Sequence, residues 1–484
     1  MIRRRAKNIL LILTDEHRRD TLGCYGNRVC RTTNIDSLAQ RGVVFQNAYT
    51  PVALCTPARA SLLTGVYPQK HLLINNHEKQ WGPPVHLNPS FPPFSRYLRQ
   101  VSYNVGTIGK WHIGEHTPED LGFDGLYYPG WDETRDHPDY LTYLKVNKLP
   151  DFTVKDEIHG TLPHGLPGPI LAGIYNGPVE GTFTYYLAER TIEKLKVYAE
   201  EYRQYGRPFY LGFHIFGPHL PYYLPEDYAK MYDPEDVVLP GGFKETFENK
   251  PHIHRLYSRL WTFESFSLEQ WRSIVAMYWG YVTLIDEQIG RILSALRELG
   301  LEEDTAVFFS TDHGSFEGSH RLNDKGPAAY DDIYRIPLIA AVPGIIEKRR
   351  TEDRFVTLMD LQATFIDMAG IPEPDNLDGR SLLPLLEGVP LENWRDEVFM
   401  EFHGHQIPYP QRTVRTSDYK LIANLCDINE LYDLRRDPDE LVNRIDDPEY
   451  REMKKHLYAL LCRHLDDLSD HTASSWLRWM YDVE

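Results

Sequence analysis

The sequence predicts an α/β protein whose central sheet is mostly parallel and is flanked by helices. Three apolar runs carry this prediction, and they span residues 8–13, 209–213 and 305–310. Continuous apolar runs of this length are typical of strands that are buried on both faces of a parallel sheet. Stretches with helical periodicity separate the runs, and strands that alternate with helices favour parallel pairing.

The longest predicted helix spans residues 267–300. Its apolar side chains recur every three or four residues, which indicates a face that packs on the core, and Gly300 suits its end. A second helix is predicted over residues 182–201. Residues 115–181 and 240–266 show little periodicity. We therefore expect two irregular insertions there, and we expect the first to form long loops over the mouth of the functional site, where it would set specificity.

The chain has 484 residues, which exceeds the size at which a single core stops growing, so we expect two domains. The composition shifts near residues 377–386. We therefore predict a larger domain over residues 1–380, which carries the functional site, and a smaller C-terminal domain over residues 381–484.

Charge and cysteine content limit the partners and the compartment. The formal net charge of −18 argues against nucleic acid or an anionic membrane as a partner. Five sparse cysteines do not form a disulfide framework and favour a reducing compartment. Arginines 3–5 and the apolar residues 9–13 mimic a secretory signal, but the apolar run is short and lacks a cleavage site. The sequence therefore predicts a cytoplasmic protein without a membrane span.

Residues 55–65 combine a cysteine, a proline and an arginine at the start of a short helical run, Cys-Thr-Pro-Ala-Arg-Ala-Ser-Leu-Leu-Thr-Gly. Proline fits the first turn of a helix because its missing N–H would have no partner there. Cys55 should therefore sit at a helix N-terminus, where free N–H groups and the helix dipole attract anions. Arg59 adds a fixed positive charge one turn along. A nucleophile at position 55 would face an anionic substrate.

Acidic and imidazole side chains follow two of the predicted strands. Asp15 follows the first strand, and Asp312 and His313 follow the strand over residues 305–310. Functional sites in open α/β sheets lie beyond the carboxyl ends of the strands, so these side chains should share one edge of the sheet. A carboxylate beside an imidazole at such an edge suits a divalent cation.

A third pattern, Gly-Lys-Trp-His-Ile-Gly over residues 109–114, follows another short strand. Alternation along an extended segment would point Lys110 and His112 to the same side. A cation and an imidazole paired in this way suit anion binding and proton transfer.

In their order along the chain, these patterns resemble the sulfatase family of the alkaline phosphatase superfamily. The family signature reads C-x-[PA]-S-R followed by L-T-G, and this chain departs from its commonest form at Ala58, where serine is usual. The Gly-Lys-Trp-His-x-Gly turn, Asp-His-Gly at residues 312–314 and Pro-His-x-Pro at residues 218–221 also match. The resemblance covers almost the whole chain and implies an alkaline-phosphatase-like sheet.

The resemblance extends to the C-terminal domain, where the family has a small α+β unit. It implies antiparallel strands near residues 415–422 and 430–438, with a helix over residues 447–468 packed on them.

The resemblance also implies a modified residue and a metal. Cys55 would be oxidised after translation to formylglycine, whose hydrated form is the nucleophile. Side chain 55 would share one divalent cation with Asp15, Asp312 and His313. Oxygen-rich ligation favours Ca²⁺, and the histidine leaves Mn²⁺ open. Many relatives have two consecutive aspartates at the first position, whereas this chain has Glu16 as the second residue, so whether Glu16 is a ligand stays open.

By the same resemblance, six further side chains act on the sulfate ester. Four of them should contact the substrate, namely Asn76, Lys110, His219 and Lys325. Arg59, Lys110 and Lys325 would neutralise negative charge on the sulfuryl oxygens. His219, with Lys325, would protonate the departing alcohol, and His112 would take the proton that lets sulfate leave. The expected reaction is hydrolysis of a sulfate monoester to an alcohol and sulfate.

Two alternatives stay open. Phosphonate monoester and phosphodiester hydrolases of the same superfamily act on related esters, but they usually lack the pair formed here by Lys110 and His112. The other alternative is a non-catalytic anion-binding protein with an unmodified Cys55. The expected partners are a small anionic sulfate ester, such as a sulfated sugar or an aryl or alkyl ester, and a formylglycine-generating or anaerobic maturation enzyme. The sequence leaves a homo-oligomer open.

Overall fold

Strands and helices alternate along most of the chain, and the computed structural model describes residues 7–76, 82–130, 135–162, 165–261, 263–346 and 348–481. The strands are β1 (Asn8–Asp15), β2 (Val43–Tyr49), β3 (Asn104–Lys110), β4 (Asp124–Tyr128), β5 (Val154–Thr161), β6 (Pro167–Tyr175), β7 (Phe209–Pro218), β8 (Tyr222–Pro225), β9 (Thr305–Thr311), β10 (Arg335–Ala341), β11 (Arg350–Thr357), β12 (Glu397–His405), β13 (Ile407–Thr416), β14 (Tyr419–Asn424) and β15 (Glu430–Asp433). The helices are α1 (Thr33–Gln40), α2 (Cys55–Thr64), α3 (Pro68–His71), α4 (Phe94–Gln100), α5 (Pro138–Val146), α6 (Phe183–Tyr205), α7 (Glu226–Ala229), α8 (His252–Leu260), α9 (Leu268–Glu298), α10 (Asp331–Tyr334), α11 (Asp360–Met368), α12 (Leu383–Glu387), α13 (Arg451–Asp467) and α14 (His471–Tyr481).

An eight-stranded sheet forms the centre of the protein, in the order β11-β2-β10-β9-β1-β7-β3-β4. β1 pairs in parallel with β7 on one side and with β9 on the other, and β3 continues the parallel run from β7 to β4. β10 runs antiparallel to both of its neighbours, β9 and β2. Together with a separate antiparallel sheet near the C-terminus, this architecture confirms the predicted fold class.

β1 is a central strand of this sheet, and all eight of its residues are buried. Successive side chains of a strand point to opposite faces, so Leu11 and Leu13 join one hydrophobic core while Leu10 and Ile12 join the other. Each such side chain stabilises the fold by about 1.5–3 kcal/mol when it is buried. Because apolar side chains cover both faces, the chemistry of the sheet is confined to its carboxyl edge, where Asp15 ends the strand.

Helices cover the sheet much as the sequence predicts. α9 begins after Ser267, whose hydroxyl accepts from the Gln270 N–H while the Gln270 side chain accepts from the Ser267 N–H, a capping box that fixes the start of the helix. α6 runs four residues beyond its predicted end. Thr182 caps it, and it stops where Gly206 adopts a left-handed φ of 67°. α9 packs on α6 and on β7.

The C-terminal part contains a four-stranded antiparallel sheet in the order β12-β13-β14-β15, with α13 packed on it. The strand expected over residues 415–422 is instead the end of β13 and the start of β14, joined by a tight turn at residues 417–418. Helix α14 follows α13 and was not expected from the sequence. The domain boundary near residue 380 stays a prediction.

The two segments expected to be irregular contain regular structure. The first includes β4, which pairs with β3 at the sheet edge, then α5 and the antiparallel pair of β5 and β6. The second includes α8. The local patterns of these elements are short, so periodicity did not reveal them. None of the described helices is both long and apolar enough to cross a membrane.

Candidate active site

The four predicted ligand side chains meet at the carboxyl edge of the central sheet. Asp15 ends β1, and Asp312 and His313 follow β9, which is the parallel neighbour of β1. Cys55 comes to the same place from the start of α2. All four residues are buried, and one possible ligand atom from each lies within 4.8 Å of those of the other three.

Helix α2 positions the thiol. Leu54 is extended, with φ −156° and ψ 134°, and Cys55 opens the helix with Pro57 in its first turn. The sulfur lies 3.2 Å from Nε2 of His313 and 3.7 Å from Oδ1 of Asp15. Cys55 is only 1% exposed, so its side chain faces the cluster and is shielded from bulk solvent.

Hydrogen bonds fix the orientation of the Asp312 carboxylate. Its Oδ1 accepts from the backbone N–H groups of Glu16 at 3.2 Å and His313 at 2.9 Å. Its Oδ2 accepts from Nε of Arg59 at 2.8 Å. Charge-assisted bonds of this kind hold a buried carboxylate in one rotamer.

Asp15 is surrounded by positive charge. Nζ of Lys110 forms a buried ion pair with its Oδ2, and an Nη of Arg59 lies 3.4 Å from the same oxygen. Burial acts to raise the pKa of Asp15, but the charges of Lys110 and Arg59 outweigh it and hold the pKa well below its ordinary value. Asp15 is therefore a carboxylate at neutral pH.

Arg59 links the two carboxylates. Besides Asp15 and Asp312, its guanidinium donates to the carbonyl of Lys110 at 3.2 Å, and the residue is 2% exposed. Burial acts to lower the pKa of Arg59, but the charges of Asp312 and Asp15 raise it above its ordinary value. Its donors are thus directed at protein groups, and the arginine orients the ligand set.

The imidazole of His313 is held with Nε2 toward Cys55. Its Nδ1 lies 2.9 Å from the carbonyl oxygen of Gly314, so Nδ1 carries the proton and Nε2 is the atom available as a ligand. Burial acts to lower the pKa of His313, but the neighbouring Asp312 and Cys55 raise it above its ordinary value.

A second group of charges adjoins the cluster. Nζ of Lys325 lies 2.9 Å from Nε2 of His219, 3.1 Å from Oε2 of Glu16 and 2.8 Å from Oδ1 of Asp324. Burial acts to lower the pKa of Lys325, but Asp324 and other negative groups raise it well above its ordinary value. Burial and the lysine charge lower the pKa of His219 to about 3. In this pair the lysine therefore carries the proton.

Asn76 and His112 differ in how they relate to the cluster. Oδ1 of Asn76 accepts from the Thr56 N–H at 2.9 Å, which places the amide beside the first turn of α2. β3 ends at Lys110, and His112 has a φ of 56°, so strand alternation does not decide the direction of its side chain. Strand alternation therefore gives no support for placing Lys110 and His112 on the same side, and the role of His112 stays a prediction.

Sequence reasoning missed part of this site. It did not single out Asp324, although the adjacent Asp-Lys pair was a local signal, and it gave no role to Ser315. The Ser315 hydroxyl donates to Oε1 of Glu16 at 2.9 Å, and Oε2 of Glu16 faces Lys325. Glu16 thus directs its carboxyl oxygens at the second group, although with Asp15 and His219 it also forms a set of closely spaced donor atoms.

The donor set fits a hard divalent cation. Asp15 and Asp312 supply carboxylate oxygens, His313 supplies a nitrogen whose tautomer is fixed, and side chain 55 completes the set. Burying carboxylates beside one another is unfavourable unless positive charge compensates them. Lys110 and Arg59 supply that compensation through their contacts with Asp15 and Asp312. The fit to a cation therefore rests on the types and the close spacing of the four donor atoms.

The fold has close relatives among solved structures. The phosphonate monoester hydrolase of Agrobacterium radiobacter is similar over 96% of this chain and 96% of its own, with a TM-score of 0.78 and 26% identity. The sheet and the cluster at its carboxyl edge thus define a hydrolase of the alkaline phosphatase superfamily.

Within that superfamily the chain belongs to the sulfatase family, and it is a sulfatase enzyme. The family model described as Sulfatase matches residues 7–371, and the model described as N-sulphoglucosamine sulphohydrolase, C-terminal, matches residues 318–467. The chain is 32% identical over 465 residues to the uncharacterized sulfatase YidJ of Escherichia coli K12, covering 96% of this chain and 88% of that one. It is 29% identical over 483 residues to the arylsulfatase of Clostridium perfringens, covering 95% and 94%.

Proposed function

We propose that this enzyme hydrolyses sulfate monoesters with a formylglycine made from Cys55 and a divalent cation, with Ca²⁺ preferred over Mn²⁺. The observation that carries the proposal is the position of Cys55. Its sulfur lies 3.2 Å from Nε2 of His313 and 3.7 Å from Oδ1 of Asp15, at a helix N-terminus that favours anions. A side chain that is both nucleophile and ligand would have to stand there.

Asp15, Asp312, His313 and side chain 55 would hold the cation. The cation and the hydrated aldehyde together supply a hydroxyl nucleophile of lowered pKa and a centre of positive charge for the sulfuryl oxygens. Arg59 maintains the two carboxylates in place through bonds to both of them.

Lys110 and Lys325 supply positive charge from the protein itself. Lys110 is fully buried beside Asp15, and Lys325 is 2% exposed beside His219. Buried cations that are fixed before the substrate binds stabilise developing charge without reorganisation, and such groups each contribute about 10²–10³-fold to a rate.

The leaving alcohol needs a proton, and the pair of Lys325 and His219 is placed to provide it. Nδ1 of His219 lies 2.5 Å from the carbonyl oxygen of Leu220, which fixes the ring with Nε2 toward the lysine. The proton on Nζ can thus pass through Nε2 or go directly to the departing oxygen. His112 keeps its predicted role as the base that allows sulfate to leave.

Phosphonate monoester hydrolysis is the second candidate function. It is favoured by the likeness to the Agrobacterium radiobacter enzyme, at a TM-score of 0.78. The presence of both Lys110 and His112 argues for the sulfate ester, because related phosphonate hydrolases usually lack this pair at the turn.

The test combines mass spectrometry with two substrates. In the Cys55 peptide of active protein, the sulfur should be replaced by the oxygen of an aldehyde, whereas the peptide of the exposed Cys426 should keep its thiol. The matured enzyme should cleave 4-nitrophenyl sulfate with a larger kcat/KM than phenyl phosphonate monoesters. Faster cleavage of the phosphonate would favour the second candidate. Full activity with an intact Cys55 thiol would exclude the formylglycine.

A further inference from the structure

A cavity opens beside His219 and has no role in the chemistry described so far. It is a small, partly enclosed space that opens to solvent. Its walls come from β7, β8, the start of α6 and the middle of α9, and Arg135 lines it from the residues that precede α5. A substrate whose sulfate occupied the cluster would have its organic part in or near this space.

Two contacts connect the cavity to the reacting groups. His219 lines it and also faces Lys325, the predicted proton source. Phe216, another wall residue, has its ring centroid 5.7 Å from Nζ of Lys110. The cavity is therefore on the leaving-group side of the site, where the proton is delivered.

Aromatic rings form most of the described walls. Phe183 packs on Phe216 edge to face at 5.5 Å between ring centroids, and Phe152 packs on Tyr223 in the same way at 5.9 Å. Rings that interlock in this manner form stiff, flat surfaces that suit another ring. Leu220 adds an apolar side chain at the same wall.

Few polar groups of the described walls are available to a sugar. The Thr182 hydroxyl caps α6 by accepting from the Tyr185 N–H, and it donates to the carbonyl of Val179 at 2.7 Å. A sugar ring needs several donors and acceptors for its hydroxyls, whereas aromatic and aliphatic side chains form most of these walls.

Arg135 places a permanent positive charge over this aromatic surface. Its guanidinium carbon lies 5.0 Å from the ring centroid of Tyr223 and 5.6 Å from that of Phe152. Contact with two rings limits the orientation of the guanidinium, and its N–H groups can bind a carboxylate through two parallel bonds.

We propose that this cavity binds the ring of an aryl sulfate that carries a carboxylate, and that Arg135 is the residue that selects for the carboxylate. The inference rests on the proposed sulfatase function and adds the class of its substrate. A sulfated sugar, or a sulfated hexuronate with its own carboxylate, is the competing class, and the test separates them.

The kinetic arm compares 3- and 4-carboxyphenyl sulfate with the corresponding carboxamides. Arg135→Ala should lower kcat/KM for at least one of the carboxylate esters by about 10- to 100-fold, the effect of losing a hydrogen bond to a charged group. It should change the carboxamide esters by less than about 3-fold, and Arg135→Lys should restore part of the loss. Because each ester is compared with itself, differences in leaving-group reactivity cancel.

Arg190→Ala is the matched control. The guanidinium carbon of Arg190 also lies over an aromatic ring, 5.5 Å from the ring centroid of Tyr186, but Arg190 does not line the cavity. Arg190→Ala should leave kcat/KM for all four esters within about 2-fold of the wild-type values. Equal losses on carboxylate and carboxamide esters in Arg135→Ala would overturn the inference, as would a larger wild-type kcat/KM for a sulfated glucosamine or hexuronate.

A binding arm keeps the cavity testable without turnover. Calorimetry with unmatured Cys55→Ala protein should show that 3- or 4-hydroxybenzoate binds at least 10-fold more tightly than the matching hydroxybenzamide, and Arg135→Ala should remove the difference. If this holds while no sulfate ester is cleaved by matured protein, the proposed function fails and the cavity assignment stands. If sulfate esters are cleaved but Arg135→Ala leaves carboxylate binding unchanged, the function stands and the inference fails.

Discussion

Nζ of Lys325 lies 2.9 Å from Nε2 of His219, and the pair faces the cluster formed by Asp15, Cys55 and the residues after β9. Because the pKa of His219 is lowered to about 3 and that of Lys325 is raised, the proton of this pair resides on the lysine at neutral pH. We therefore expect Lys325 to act as the acid, with His219 orienting its Nζ.

The first prediction concerns Lys325. Lys325→Ala should lower kcat on an alkyl sulfate by about 10²–10³-fold, and the loss should be smaller on 4-nitrophenyl sulfate, whose leaving group needs little protonation. Without the lysine charge, the pKa of His219 should rise toward its ordinary value, so the rate should now fall as the pH rises above that pKa. Rate profiles of wild type and variant on both esters check this. Lys230→Ala, an exposed site, is the control, and equal losses on the two esters would contradict the acid role.

The second prediction concerns Cys55. A serine at this position offers a hydroxyl but no aldehyde, so a covalent sulfate ester on it has no second hydroxyl that could expel sulfate. Cys55→Ser should therefore release at most one equivalent of 4-nitrophenol per active site, visible as a burst in stopped flow. Cys55→Ala should give no burst. Sustained turnover by the serine variant would rule out the formylglycine route.

The third prediction concerns the cation. Asp312→Asn removes one charge from the donor set while keeping its shape, and bound metal per chain should fall from near one to near zero by plasma mass spectrometry. Chelation of wild type should lower the melting temperature, because a ligand present at 1,000 times its Kd stabilises the folded state by about 4 kcal/mol. Readdition of Ca²⁺ should restore it.

Asp378→Asn is the control for that experiment, because Asp378 is a carboxylate in an ion pair with Lys70, outside the cluster. It should keep the full metal content. If Asp312→Asn kept one cation per chain, the proposed ligand set would be wrong.

The fourth prediction concerns stability and pH. His71 is buried, its Nδ1 accepts from the Leu73 N–H at 3.1 Å, and its Nε2 faces the Ser61 hydroxyl at 3.0 Å. Because Nδ1 already accepts a hydrogen bond, it cannot take a second proton without losing that bond. Burial lowers the pKa of His71 to about 3. The unfolded chain, with a pKa of about 6.5, binds more protons than the folded one between these values. Stability should therefore fall as the pH drops from about 6.5 toward 3.

Each histidine of this kind contributes at most about 1.4 kcal/mol of unfolding free energy per pH unit in that window. His71→Asn keeps an acceptor for Leu73 and removes the titration, so the difference in urea midpoint between about pH 7 and pH 5 should shrink. His252→Asn, at a side chain 87% exposed, should leave that difference unchanged. If His71→Asn left the difference in urea midpoint between the two pH values unchanged, protonation of His71 would not contribute to the pH dependence of stability.

Much of the site could be predicted because its residues mark the ends of elements. Asp15 and Asp312 follow apolar strands that had to lie side by side, and Cys55 precedes a proline that starts a helix. Parallel pairing of β1 with β9 then brings the two carboxylates to one edge. Each of these steps uses only local sequence and the general rules of α/β sheets.

The rest depended on packing that no local pattern encodes. Arg59 was predicted to neutralise charge on the sulfuryl oxygens, and no local pattern indicated that its guanidinium contacts Asp15, Asp312 and the backbone. Strand β4 and the β5–β6 pair were missed because their segments are short and show no clear periodicity. The direction of the His112 side chain does not follow from strand alternation, because β3 ends at Lys110 and His112 has a left-handed φ of 56°.

The burial of Cys55 has a consequence for how the enzyme is made. With 1% of the residue accessible once α2 has packed, the sulfur of the folded chain is shielded from a second protein. The proposed conversion of the thiol to an aldehyde would therefore have to come first, on a nascent or still unfolded chain, and the order of these events in biogenesis would decide whether a molecule emerges competent or permanently inert.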